Sequence, residues 1–124
     1  MPNTTDFETH PPIDVSSVLE RIGGDSSFLQ ELLQLYFQEF ADKQRLLGQA
    51  LSNGDMTQIK EVGHSLKGAS ANLSLGSLQK LGLTIETAGR EKDLERAREA
   101  IGALSGEFER LKAFLTAHPL TQSE

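Results

Sequence analysis

The sequence predicts an all-α protein, an antiparallel up-and-down four-helix bundle with a short additional N-terminal helix. Three observations lead there. Apolar residues recur at spacings of three and four along most of the chain, nothing alternates with period two over a strand's length, and the breaks between periodic runs are only a few residues long. Short connections set consecutive helices side by side and antiparallel. At 124 residues and 37% hydrophobic content, the chain can fill one core but not two.

Residues 1–12, MPNTTDFETHPP, are polar and proline-bearing, bury too little to offset their ordering entropy, and are expected to be a disordered tail that includes His10. The bundle is expected over 13–118 and a C-terminal tail over 119–124. Asp14 can cap a short helix carrying Val15, Val18, Leu19 and Ile22, which Gly23 and Gly24 end. Asp25 to Ser27 offers the next N-cap, for a long run with Leu29, Leu32, Leu33, Tyr36, Phe37, Phe40, Leu47, Ala50 and Leu51 that stops at Asn53-Gly54.

Asp55 followed by Gln58 resembles a capping box, opening a third run with Ile59, Val62, Gly63, Leu66, Ser70 and Leu73 on one stripe. Gly76 and Ser77 are expected to turn into a fourth run, where Leu78, Leu81, Ile85 and Ala88 keep the period until Gly89 breaks it. Asp93 can cap the last helix, whose Leu94, Ala97, Ile101, Leu104, Phe108, Leu111 and Leu115 form a narrow seam ended by Pro119. Phe28, Phe37, Phe40, Phe108 and Phe114 read as core or near-core packing, and the mixed-charge segment from Glu91 to Glu99 as a capped, salt-bridged helix start.

Composition narrows the function. The formal charge is −6 and the isoelectric point about 5.0, so the global field repels nucleic acid and anionic membrane, and a protein partner is the better expectation. No aromatic spacing suits the stacking of bases. No apolar run approaches the roughly 20 residues a bilayer span requires, and the N-terminus lacks a signal pattern, so the expected location is the cytoplasm. There is no cysteine, which excludes disulfides and thiolate metal sites.

The third run carries the candidate chemistry. At about 100° per residue its apolar stripe faces the core and places His64 on nearly the opposite side, in solvent. Lys60, Glu61, Lys67 and Gly68 lie one turn away and Ala71 two turns on. An exposed glycine in a helix interior costs about 1 kcal/mol relative to alanine; clearance for another protein's surface to approach the imidazole is a physical reason for Gly68. Lys67 is placed to offset part of the charge of a phosphoryl group. An exposed imidazole, with an unperturbed pKa of about 6.5, is mostly neutral near pH 7 and is a competent nucleophile without a local base. There is no GxxxxGK[ST] loop and no evident acidic cluster for magnesium, so the chain can receive a phosphoryl group but not draw one from ATP.

Blander alternatives fail on specifics. Glu61-x-x-His64 has di-iron spacing, but no second copy exists and this one points outward, so no metal site is expected. Ser65 diverges from His64 by about 100° and has no acidic orienting group, which argues against a hydrolase. His118 lies near the end of the chain, and the sequence suggests no set of metal-ligating or catalytic residues around it.

The run His64-Ser-Leu-Lys67-Gly68-Ala-Ser70-Ala-Asn-Leu73 resembles the signature of the histidine-phosphotransfer (HPt) domain family, His-x-Leu-Lys-Gly followed by small residues and an apolar position. Leu78, Leu81, Ile85 and Glu86 fall where that family keeps its next helix's apolar ladder and terminal glutamate, and Gly23-Gly24-Asp25 with Phe28-Leu29 and Leu32-Leu33 resembles its N-terminal part. The resemblance implies that His64 is the phosphoryl acceptor, that Lys67 stabilises its charge, and that Gly68, with Lys60 and Ala71, belongs to the face on which receiver domains dock. It implies a phosphocarrier rather than an enzyme, which accepts a phosphoryl group from a receiver's phospho-aspartate and passes it to another receiver, of a response regulator or a hybrid sensor histidine kinase. No cofactor is then bound by this chain, the Mg2+ coming with the receiver. The family commonly has a glycine ten residues after the histidine; Ser74 stands there here, with Gly76 two further on, a departure that bears on the turn and not on the histidine. The chain begins with Met1, so a free-standing carrier is expected, with an excised terminal domain as the alternative, and a monomer is favoured. The rival class is a non-catalytic helical module for protein interaction or dimerisation.

Overall fold

The computed structural model describes residues 11–120. These form five helices and no strand: α1 (Val15–Arg21), α2 (Ser26–Asn53), α3 (Met56–Asn72), α4 (Gly76–Glu91) and α5 (Leu94–Ala117). Each of α2 to α5 packs on its neighbour in sequence and α5 closes back on α2, while the short α1 rests on α2. This is the expected four-helix bundle with an N-terminal addition. None of these helices is long and apolar enough to cross a membrane.

The caps form where aspartates precede the periodic runs. Asp14, Asp25, Asp55 and Asp93 each accept a hydrogen bond from the backbone N–H three residues on, at 3.0–3.1 Å. The capping box at Asp55 is only half made, because the Asp55 N–H is already donated to the Ala50 carbonyl as α2 closes through Gly54 at φ +65°. Gly23 and Gly24, at φ +85° and +82°, terminate α1 as the sequence suggests.

The core joins the seams of all five helices, among them Val18, Leu29, Leu47, Ile59, Leu66, Ile85, Leu104 and Leu111, all essentially inaccessible. Phe40 stacks on Phe108 at 4.1 Å between ring centroids, and Phe37 meets Phe108 edge-on at 5.3 Å. Phe28 departs from the near-core expectation: it is 43% exposed, on the outer side of the first turn of α2. Pro12, counted from sequence with the loose tail, is buried beside the core residue Ile13, while the rest of that tail before Pro11 lies outside the described residues, His10 included. One polar pair is enclosed: the Tyr36 and Ser70 hydroxyls bond at 2.8 Å between α2 and α3, and burial pushes the Tyr36 phenol up to about 12.

Two turns differ from their sequence reading. The α3–α4 turn is made at Ser74, which takes φ +57°, and Gly76 is already the first residue of α4. Gly89 does not break α4. The helix runs through it to Glu91 and ends at Lys92 in the left-handed conformation, at φ +58°.

Gly89 has a different task, shared with Gly63 and Gly82. A methyl group on Gly89 would sit 2.5 Å from the Lys60 backbone nitrogen, one on Gly82 2.7 Å from that of Lys67, and one on Gly63 2.6 Å from that of Glu86. The three contacts are antiparallel in register and bring the backbones of α3 and α4 together, in the most extensive helix pairing of the bundle. Periodicity reads such a glycine as a stop because it cannot see the backbone across the interface.

Candidate functional site

His64 projects from the middle of α3 with its side chain 68% exposed, where the helical phase predicts it. Lys60 and Glu61 are exposed, and together with His64 and Glu86 they line a shallow depression. Gly68 is exposed, and a methyl group there would meet nothing within 4 Å, so its lack of a side chain opens space outward and serves no internal contact. Ala71 is only half-buried at the far end of the same face.

Tertiary structure adds a carboxylate to this set. Glu86 of α4 is 12% exposed and turns both its oxygens toward α3: Oε2 lies 3.0 Å from His64 Nδ1, and Oε1 lies 2.8 Å from Lys67 Nζ. A carboxylate accepts, so a neutral imidazole that meets this contact as a donor carries its N–H at Nδ1 and its lone pair at Nε2, on a side chain that is 68% exposed. Lys67 is thus no unpaired surface lysine. It does most to hold the Glu86 carboxyl below the usual carboxylate range; burial works in the other direction, and the His64 ring adds to the lowering. Arg90, one turn on along α4, places Nη2 3.7 Å from Glu86 Oε2 and adds a third cation near the imidazole, beside Lys67 and Lys60.

The sequence reading noted Glu86 only as the terminal glutamate that the family resemblance puts beside the fourth helix's apolar ladder, without a role, and it missed Arg90. The signal was available: if α3 and α4 pair antiparallel, a glutamate and an arginine four apart on one side of α4 are the charged candidates to reach the histidine. Its distance from His64 was not.

An apolar rim adjoins the same face. Ile22, Leu32, Leu35, Tyr36, Ala69 and Leu73 line a shallow groove where α1, α2 and α3 meet, and Leu35 is 54% exposed. Ala69 follows Gly68 directly, so the groove begins at the edge of the cleared patch. Elsewhere, His118 caps α5 and stacks on Phe114 at 4.4 Å. Ser65 faces a second depression between α2 and α3, with Glu39, Asp42 and Lys43.

A helical bundle with an outward histidine, a lysine one turn on and a bared glycine beside it defines a histidine-phosphotransfer module, and the sequence profile of the Hpt domain matches residues 31–114. The chain belongs to the Hpt domain family. It is similar to the phosphorelay protein LuxU of Vibrio vulnificus, in strains YJ016 and CMCP6 alike, with 22% identity over 103 residues that cover 82% of this chain and 88% of the relative. No solved structure matches it significantly.

Proposed function

We propose that this protein is a phosphorelay intermediate that takes a phosphoryl group from the phospho-aspartate of one receiver domain onto Nε2 of His64 and delivers it to another receiver. The observation that carries the reading is the His64–Glu86 pair, an exposed imidazole with Nδ1 3.0 Å from a carboxylate oxygen, a contact that favours the proton at Nδ1 and leaves the lone pair at Nε2 for the reaction. The LuxU relatives, described as phosphorelay proteins, support the same role.

In this reading the Nε2 lone pair attacks phosphorus, the bond from phosphorus to the aspartyl oxygen breaks, and the aspartate carboxylate leaves. The proton on Nδ1 stays in place, so positive charge grows on the ring as the new bond forms, and Glu86 stabilises it. Lys67 offsets the charge of the arriving phosphoryl oxygens. Because the phosphorylated ring is cationic it is a good leaving group, and transfer to a second aspartate retraces the same path. Gly68 gives the receiver clearance, Lys60 and Ala71 lie on its docking face, and the groove from Ile22 to Leu73 gives it apolar contact. The receiver brings the Mg2+; the chain acts as a carrier without a kinase activity of its own.

The test is incubation of the purified protein with magnesium and a phosphorylated receiver, followed by assay of acid-labile, alkali-stable phosphate on wild type and on His64→Gln. Label on wild type alone is expected. Absence of label with several receivers would return the chain to the non-catalytic interaction class.

A further inference from the structure

The three close-approach glycines touch the backbones of three particular residues. Gly89 lies against Lys60, Gly82 against Lys67 and Gly63 against Glu86, three of the charged groups around His64. Other helical glycines show no such relation: a methyl group at Gly48, Gly102 or Gly106 would meet nothing within 4 Å. Close approach is therefore concentrated where the histidine and its carboxylate belong to different helices.

We propose that Gly63, Gly82 and Gly89 are positioning residues, which set the α3–α4 separation so that Glu86 reaches His64 Nδ1 and fixes the ring tautomer. The inference rests on the carrier reading for its functional meaning, but its geometry is independent of phosphate. The contacts a methyl group would make, at 2.5–2.7 Å, fall well short of the ordinary 3.4–4 Å. Backbone atoms stand in the way, so relief requires the helices to part by roughly 1 Å. The His64–Glu86 bond is 3.0 Å long, and hydrogen bonds are lost beyond about 3.5 Å. Both of these partners of the carboxylate, His64 and Lys67, are on α3, so parting the helices lengthens both contacts at once, and the Glu86 side chain, only 12% exposed and with Arg90 of its own helix 3.7 Å from Oε2, has little room to follow.

The experiment reads the tautomer directly by 15N NMR of the His64 ring, above its titration, in wild type, Gly82→Ala, Gly89→Ala and the α5 control Gly106→Ala. Glu86→Ala supplies the spectrum of an unheld ring, and circular dichroism reports folding. The expected result is a dominant Nδ1–H tautomer in wild type and Gly106→Ala and its loss in Gly82→Ala or Gly89→Ala, toward the Glu86→Ala spectrum. Phosphoryl acceptance should slow by about tenfold or more in the same two variants and not in the control. Retention of the wild-type tautomer in a folded Gly82→Ala or Gly89→Ala protein overturns the proposal. If neither variant folds, Glu86→Ala decides, and an unchanged tautomer there overturns it equally. Failure of the carrier reading is a separate result, an unlabelled wild type whose tautomer still depends on the glycines.

Discussion

At the scale of single residues, the site is a small charge network in which each member alters the next. Glu86 is the pivot, since one carboxylate serves both the imidazole and the ammonium. Its lowered pKa has a definite consequence for stability. A carboxyl depressed on folding contributes stability that is fully present above its unfolded-state pKa of about 4.3 and is lost as pH falls through the lower folded-state value. Lys67→Met removes the largest cause of the lowering. The Glu86 carboxyl should then titrate higher, as followed by its 13C shift. The melting-temperature advantage of wild type over the variant should be full at pH 7 and diminished at pH 3; an advantage unchanged at pH 3 would show that the ion pair is not its source.

Among the elements, the α3–α4 turn shows how a departure from the family pattern is accommodated. Ser74 adopts φ +57°, a conformation that costs a non-glycine residue roughly 1–2 kcal/mol. The hydroxyl makes a return that glycine could not. It accepts from Arg21 Nη2 at 3.0 Å, and the same guanidinium donates to the Asn72 carbonyl at 2.6 Å, covering the end of α3, while the Ser74 carbonyl accepts from the Asp14 N–H at 3.0 Å. The short α1 is thereby latched to the end of the histidine helix. Ser74→Ala keeps the strained backbone and loses the hydroxyl, so it should lower stability by about 1 kcal/mol in denaturant melts, and by more than Ser74→Gly, which loses the hydroxyl but also the strain. Equal stability of the alanine and serine proteins would show that the latch contributes nothing.

For the whole molecule, one core spans the bundle and the histidine face is left outside it. Leu104, fully buried on α5, belongs to that core and lies on a different helix from His64. Leu104→Ala should cost about 2–5 kcal/mol, a large part of the 5–15 kcal/mol typical of a domain. Phosphoryl acceptance per folded molecule should nevertheless stay near wild type at temperatures well below the melt, as measured by receiver-dependent labelling. A loss of acceptance in the folded variant would mean that the site depends on packing at α5.

Much of this was written in the sequence. Apolar recurrence and the four aspartate caps determined where the helices run, because both are local: a cap needs only the N–H groups three residues on, and a stripe only the 3.6-residue turn. The same phase placed His64 in solvent, and the short connections made the helices antiparallel neighbours. What tertiary structure decided concerns distance between helices. Periodicity says which face of α4 meets α3 but not how closely, so it took Gly89 for a stop where the structure has a backbone contact, and it gave no sign that Glu86, noted only through the family resemblance, lies 3.0 Å from the imidazole. Ser74 likewise needed Arg21, 53 residues earlier, to explain its backbone. Contacts of this kind depend on the three-dimensional meeting of remote segments, which no local pattern of residues encodes.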